Sequence, residues 1–168
     1  MQNQLQVHDK EDFMENRKHD FYPPCPDLIV VDIHQATINA RQALPIFNHS
    51  IPAGFPSPAD DYIEKQLDLN EFMIKHPSAT FFVRVEGESM RDAGILSGDM
   101  LVVDRSLTPA NGRIIVAILD GEFTVKRMVI EADQVYLAPE NPDYSRIKIQ
   151  PESLFQVWGV VTYVIHKP

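Results

Sequence analysis

The sequence predicts a mostly β fold: a compact, partly closed β-barrel-like domain with one short helix, preceded by an extended, flexible N-terminal arm. Three observations carry this expectation. Runs rich in β-branched and aromatic residues recur at 80–85, 100–103, 113–119, 123–130, 134–137 and 154–165, and such residues suit a pleated, half-buried surface. Turn signals separate them. Asp120-Gly121, between two apolar runs, marks a tight hairpin, and Asn111-Gly112 and Asn141-Pro142 mark further turns. Helical spacing is confined to residues 60–76, where Ile63, Leu67 and Phe72 stand among charges. Many short strands with one helix make a sheet that curls toward closure.

Taken in order, residues 1–53 read as the arm and 54–168 as the domain. The first 27 residues are polar and mixed in charge, ending in Tyr22-Pro23-Pro24-Cys25-Pro26. Prolines without N–H groups beside such charges favour disorder over helix or sheet. Residues 28–53 carry two apolar patches, Leu28-Ile29-Val30-Val31 and Leu44-Pro45-Ile46-Phe47, but no glycine turns or long periodic helix of an independent domain. Gly54-Phe55-Pro56-Ser57-Pro58 then opens the domain as a stiff, extended stretch. Trp158, in an apolar run, is expected in the core.

Composition narrows the function. The chain has 168 residues, 24 acidic and 15 basic, for a net charge of −9. An acidic surface repels phosphate, so direct sequence-specific binding to DNA is not expected. Cys25 is the single cysteine, which excludes an internal disulfide and fits a reducing compartment. No apolar run is long enough to span a bilayer, and the first twenty residues lack the apolar stretch of a signal peptide. A cytoplasmic protein without membrane contact is expected. His8, His19, His34, His49, His76 and His166 have no metal-ligand spacing, so neither a metal nor a cofactor is expected.

Two residue types point to chemistry. In Val85-Glu86-Gly87-Glu88-Ser89-Met90 a strand runs into a glycine and then a serine, followed by a loop that returns through Gly98-Asp99 to the next strand. This exposes a hydroxyl at a strand end, beside backbone N–H groups able to bind an oxyanion. Alone, a serine after a glycine turn is commonly an ordinary turn residue. Lys126 follows the Asp120-Gly121 turn, and alternation puts it on one face with Thr124, Met128 and Ile130. A neutral lysine can accept a serine proton if burial lowers its pKa by roughly three units, about 4 kcal/mol. Alone, a strand lysine commonly snorkels to solvent.

Together these segments resemble the UmuD and LexA family of self-cleaving serine peptidases. The resemblance rests on Gly87-Glu88-Ser89-Met90, the Asp-x-Gly-Ile turn from Asp92, Gly98-Asp99 and Gly121-Glu122-Phe123-Thr124-Val125-Lys126. Pro77-Ser78-Ala79-Thr80 and Tyr144 extend it, and Gly54-Phe55-Pro56-Ser57-Pro58 is similar to the UmuD branch. It implies a peptidase domain in which Ser89 is the nucleophile and Lys126 the general base, 37 positions apart. It also implies Ala53-Gly54 as the cleavage site, where two small residues allow close approach to the serine. Pro52 withholds one backbone donor from the arm just ahead of this bond.

The resemblance further implies autocatalytic cleavage stimulated by a RecA–single-stranded DNA filament during the SOS response to DNA damage. The cleaved form would be a homodimer that serves a UmuC-like Y-family polymerase, as in DNA polymerase V. The alternative is a LexA-like self-cleaving transcriptional repressor. It requires a DNA-binding domain within the first 53 residues, which carry four basic and seven acidic side chains and no helix-turn-helix pattern.

Overall fold

A computed structural model describes residues 27–47 and 63–168. The strands are β1 (Ile29–Gln35), β2 (Ala43–Phe47), β3 (Ile63–Asp68), β4 (Thr80–Glu86), β5 (Met100–Asp104), β6 (Ile114–Leu119), β7 (Glu122–Glu131), β8 (Gln134–Ala138), β9 (Ile147–Lys148) and β10 (Phe155–Ile165). One short helix, α1, spans Leu69–Met73, and single 3-10 turns lie at Pro77–Ala79 and Arg91–Ala93. The six strand runs expected after residue 79 are all present, each within one residue of the expected bounds.

Eight strands form one sheet in the order β1-β4-β5-β10-β6-β7-β8-β9, while β2 and β3 pair as a separate hairpin. All pairings are antiparallel. The 11-residue β10 organises the curl. Its first half pairs with β6 and its second half with β5, with register irregularities between Val157 and Gly159 and between Val161 and Tyr163. Such bulges bend a strand and increase its twist. The sheet therefore curls into a half-barrel, and the backbone just ahead of β1 reaches β7: the Val125 N–H donates to the Leu28 carbonyl at 3.3 Å.

The β6–β7 hairpin turns at Asp120-Gly121, where φ is 50° and 92°. Two consecutive residues with positive φ match the right-handed strand twist, and glycine adopts the second without steric cost. Two buried apolar clusters pack against the sheet. One cluster gathers Leu28, Val83, Val85, Met90, Ile95, Leu101, Val103, Val116 and Val125; the other gathers Ile115, Ala117, Met128, Leu137 and Val160. Trp158 packs against the first cluster, edge-on to Phe81 and Phe123 with centroids 5.2 and 5.8 Å away. Arg105 lies over its ring.

Gly159 marks a close strand approach: a Cβ there would sit 2.6 Å from Val103 Cγ1. Gly159→Ala is expected to destabilise the domain by about 1–3 kcal/mol through overpacking, read from a lowered midpoint in denaturant unfolding.

The stretch 60–76 corrects the sequence expectation. Among its described residues, 63–68 are strand and the helix is confined to Leu69–Met73. Pairing with β2 overrides the helical spacing, since Leu44 stands opposite Leu67 and Ala43 opposite Asp68. Asp68 then starts the helix as its N-cap. Its Oδ1 accepts from the Asn70 and Glu71 amides, while Oδ2 accepts from the Gln42 amide at 2.7 Å. The Gln42 amide is the main cause holding this carboxyl below its usual range, against burial and with help from Glu71, Asn70 and Arg41.

Candidate active site

The segment after β4 is built to hold a side chain still. Gly87 has φ 123°, a conformation that a Cβ disfavours, and it turns the chain out of the strand. The loop then closes on itself. Gly98 N–H donates to the Val85 carbonyl at 2.8 Å and Val85 N–H to the Asp99 carbonyl at 3.1 Å, so the path returns to β5 as the Gly98-Asp99 pattern implied. Met90 and Ile95, both fully buried, anchor the loop in the core. From the far side, the Glu140 N–H donates to the Ser89 carbonyl at 2.8 Å and Asn141 Nδ2 to the Glu88 carbonyl at 2.9 Å. The sequence marks Asn141 as a turn residue and as the start of the stretch around Tyr144 that extends the resemblance. Its role as a brace arises because the fold brings it here from 53 positions beyond Glu88.

Ser89 is wholly buried, its hydroxyl covered by the Leu28 amide rather than exposed at the strand end as expected, and Lys126 is 1% exposed. β7 carries Lys126 opposite Ile115 of β6, so the amine enters the site from an apolar strand pair. Lys126 Nζ donates to Ser89 Oγ at 2.9 Å, to Thr124 Oγ1 at 3.0 Å and to the Val125 carbonyl at 3.2 Å. It also pairs with Asp27 Oδ1. Burial pushes the Lys126 pKa below the ordinary lysine value of 10.5, while the Asp27 carboxylate works in the opposite direction. The lysine that the alternation placed beside apolar neighbours is therefore buried rather than snorkelling, and its face includes buried Thr124 and Met128.

Of the residues expected to carry function, Ser89 and Lys126 are thus brought into direct contact. Ala53 and Gly54 lie outside the described residues, as do Cys25, His8, His19 and His49. The remaining histidines pair with carboxylates: His34 with Asp32, His76 with Asp104 and His166 with Asp99. Burial raises the Asp104 carboxyl, but hydrogen bonds from Ser106 and His76 outweigh it and leave the group below its usual value. No cluster able to hold a metal occurs among the described residues. No helix among them is long and apolar enough to cross a membrane.

The half-barrel thus sets a buried hydroxyl, a potential nucleophile, in hydrogen-bond contact with a buried amine, a potential base. The Peptidase S24-like family matches residues 45–162, and the chain belongs to that family. It is 51% identical over 127 residues to Protein SamA of Salmonella typhimurium, covering 76% of this chain and 88% of that protein. It is 45% identical over 135 residues to Protein MucA of Escherichia coli, covering 79% of this chain and 92% of that protein. The LexA repressor of Acidithiobacillus ferrooxidans is 46% identical over 115 residues, but the match spans only 55% of that repressor. The chain is thus a UmuD-like SOS-mutagenesis protein of the S24 family, in keeping with the Gly54-Phe55-Pro56-Ser57-Pro58 stretch, and the likeness to LexA is more distant.

Proposed function

We propose that Ser89 and Lys126 are the nucleophile and general base of a dyad that cuts the Ala53-Gly54 bond of its own chain. The observation that carries this reading is the 2.9 Å contact between Lys126 Nζ and Ser89 Oγ in a site where burial disfavours the ammonium. A neutral Lys126 takes the Ser89 proton as Oγ attacks the Ala53 carbonyl carbon. Backbone N–H groups of the turn at residues 88–90 hold the oxyanion. Lys126 returns the proton to the Gly54 nitrogen as the peptide bond breaks. Water, deprotonated in turn by Lys126, then hydrolyses the Ala53 ester and frees Ser89.

A RecA–single-stranded DNA filament stimulates this step by favouring the arrangement with the bond in the cleft. The product, residues 54–168, acts as a homodimer in the cytoplasm, as accessory subunit of a UmuC-like Y-family polymerase in translesion synthesis. Membership of the S24-like family and the likeness to MucA and SamA support this role. The net charge of −9 supports a protein-directed rather than a DNA-directed partner surface.

Incubation with RecA, ATP and single-stranded DNA, read by intact mass, is expected to yield fragments 1–53 and 54–168. Gly54→Trp should block the cut, because a bulky side chain holds the backbone away from Ser89. Cleavage within residues 22–26 instead would refute the assigned bond.

A further inference from the structure

The groove beside Ser89 already holds a peptide, and it is not the bond expected to be cut. β1 runs antiparallel to β4 from Gln35 opposite Phe81 to Ile29 opposite Glu86, ending next to the serine loop. Leu28, just ahead of it, is fully buried within the first core cluster. Its carbonyl accepts from the Val125 N–H of β7 at 3.3 Å, and its own N–H donates to Ser89 Oγ at 3.1 Å. An extended backbone bonded to β4 on one side and β7 on the other is a peptide bound by strand addition, with a side chain seated in a pocket. One position earlier, Asp27 places Oδ1 against Lys126 Nζ and within 2.8 Å of the Leu28 N–H.

We infer that residues 27–35 are a built-in pseudosubstrate, which fills the peptide groove of the intact chain and pairs the Asp27 carboxylate with the Lys126 ammonium. The inference rests on the dyad reading above and concerns how that dyad is kept off. Four acceptors surround Lys126 Nζ: Asp27 Oδ1, Ser89 Oγ, Thr124 Oγ1 and the Val125 carbonyl. An ammonium that shares its three N–H groups among such a set has no lone pair free for the serine proton. Ser89 Oγ likewise receives two hydrogen bonds, from Lys126 and from the Leu28 amide, which engage the lone pairs an attack would need.

Asp27 is the charged group acting on Lys126 among the described residues. The neighbours from the serine loop and from β7 itself are neutral hydroxyl and carbonyl groups, and β6 presents Ile115. When the segment gives way to the Ala53-Gly54 stretch in the groove, the Asp27 carboxylate no longer opposes burial of the lysine, and the neutral base becomes accessible. Two strands cannot share the Ser89 hydroxyl, so seating the Ala53-Gly54 bond requires residues 27–35 to withdraw. The cut at that bond then removes the pseudosubstrate with the arm, which makes activation one-way. β1 lies ahead of the residues 45–162 matched by the family.

The test compares full-length wild type with Asp27→Asn, which keeps the side-chain shape and removes the charge. Self-cleavage without filament at neutral pH is expected to rise about tenfold or more in Asp27→Asn, with the rise of rate with pH displaced downward by about one unit or more. An unchanged rate and pH profile would overturn the inference, as would a wild-type fragment beginning at Leu28, which would make the segment a substrate. A second measurement is independent of cleavage. In uncleavable Ser89→Ala chains, the Lys126 side-chain NMR resonance is assigned by its loss in Lys126→Met. It should titrate at lower pH when Asp27→Asn is added than when Asp27 is kept. Equal midpoints would overturn the inference. A shifted midpoint without Ser89-dependent cleavage in any variant would instead tell against the dyad while supporting the Asp27 contact.

Discussion

Ser89→Ala and Lys126→Met are each expected to reduce cleavage at Ala53-Gly54 by on the order of 10⁴-fold or more while leaving the domain folded. In the proposed dyad the two side chains act as one unit, so the double variant should cost little beyond either single change. Ser89→Ala removes one hydroxyl from a loop held by other bonds, including those from Glu140 N–H and Asn141 Nδ2 to the carbonyls of residues 89 and 88. Lys126→Met keeps a long unbranched chain in the site but removes the amine. Rates are read by intact mass over time, with the filament present, and folding by circular dichroism. Cleavage at the wild-type rate in Ser89→Ala would sink the mechanism.

The second large effect is on pH. Burial disfavours the Lys126 ammonium, so the folded pKa lies below 10.5 even with Asp27 opposing the shift. The neutral fraction, and with it the filament-free cleavage rate, should climb from neutral pH and level off below the ordinary lysine value. The rise approaches tenfold per unit while the ammonium dominates. Stability should follow with a defined sign. A buried lysine with a depressed pKa binds fewer protons folded than unfolded in the interval between the two values, so stability increases with pH across it. Below the folded pKa the cost of burying the charge is present in full. The measurements are first-order cleavage rate against pH at several protein concentrations, and denaturant unfolding of Ser89→Ala against pH with and without Lys126→Met. A rate flat from mildly acidic to alkaline pH would rule out lysine as the base.

These expectations draw on features of unequal legibility in the sequence. The strands after residue 79 are legible because local signals agree with the tertiary outcome: β-branched runs are separated by turns such as Asp120-Gly121, and β6, β7 and β8 pair with their neighbours in the chain, although β10 inserts between β5 and β6. Residues 63–68 lack that agreement. Their spacing suits a helix as well as a strand, and pairing with β2 chose the strand. The site was legible as two residues but not as a site. Ser89 and Lys126 are each ordinary in their own segments, and only the ordered motifs around them suggested that they meet.

The sequence by itself determined the class of fold, the loop that presents Ser89 and the strand face that carries Lys126, because these depend on side-chain alternation and on turn residues within a few positions. Tertiary structure decided what stands around them. The brace from Asn141 and the burial that lowers the Lys126 pKa come from distant segments. So does the seating of Leu28 against Ser89 and of Asp27 against Lys126, between residues 61 and 99 positions apart in the chain. No local pattern encodes those contacts, since hydrogen bonding and desolvation depend on distance in space, and the curled sheet alone brings these groups together.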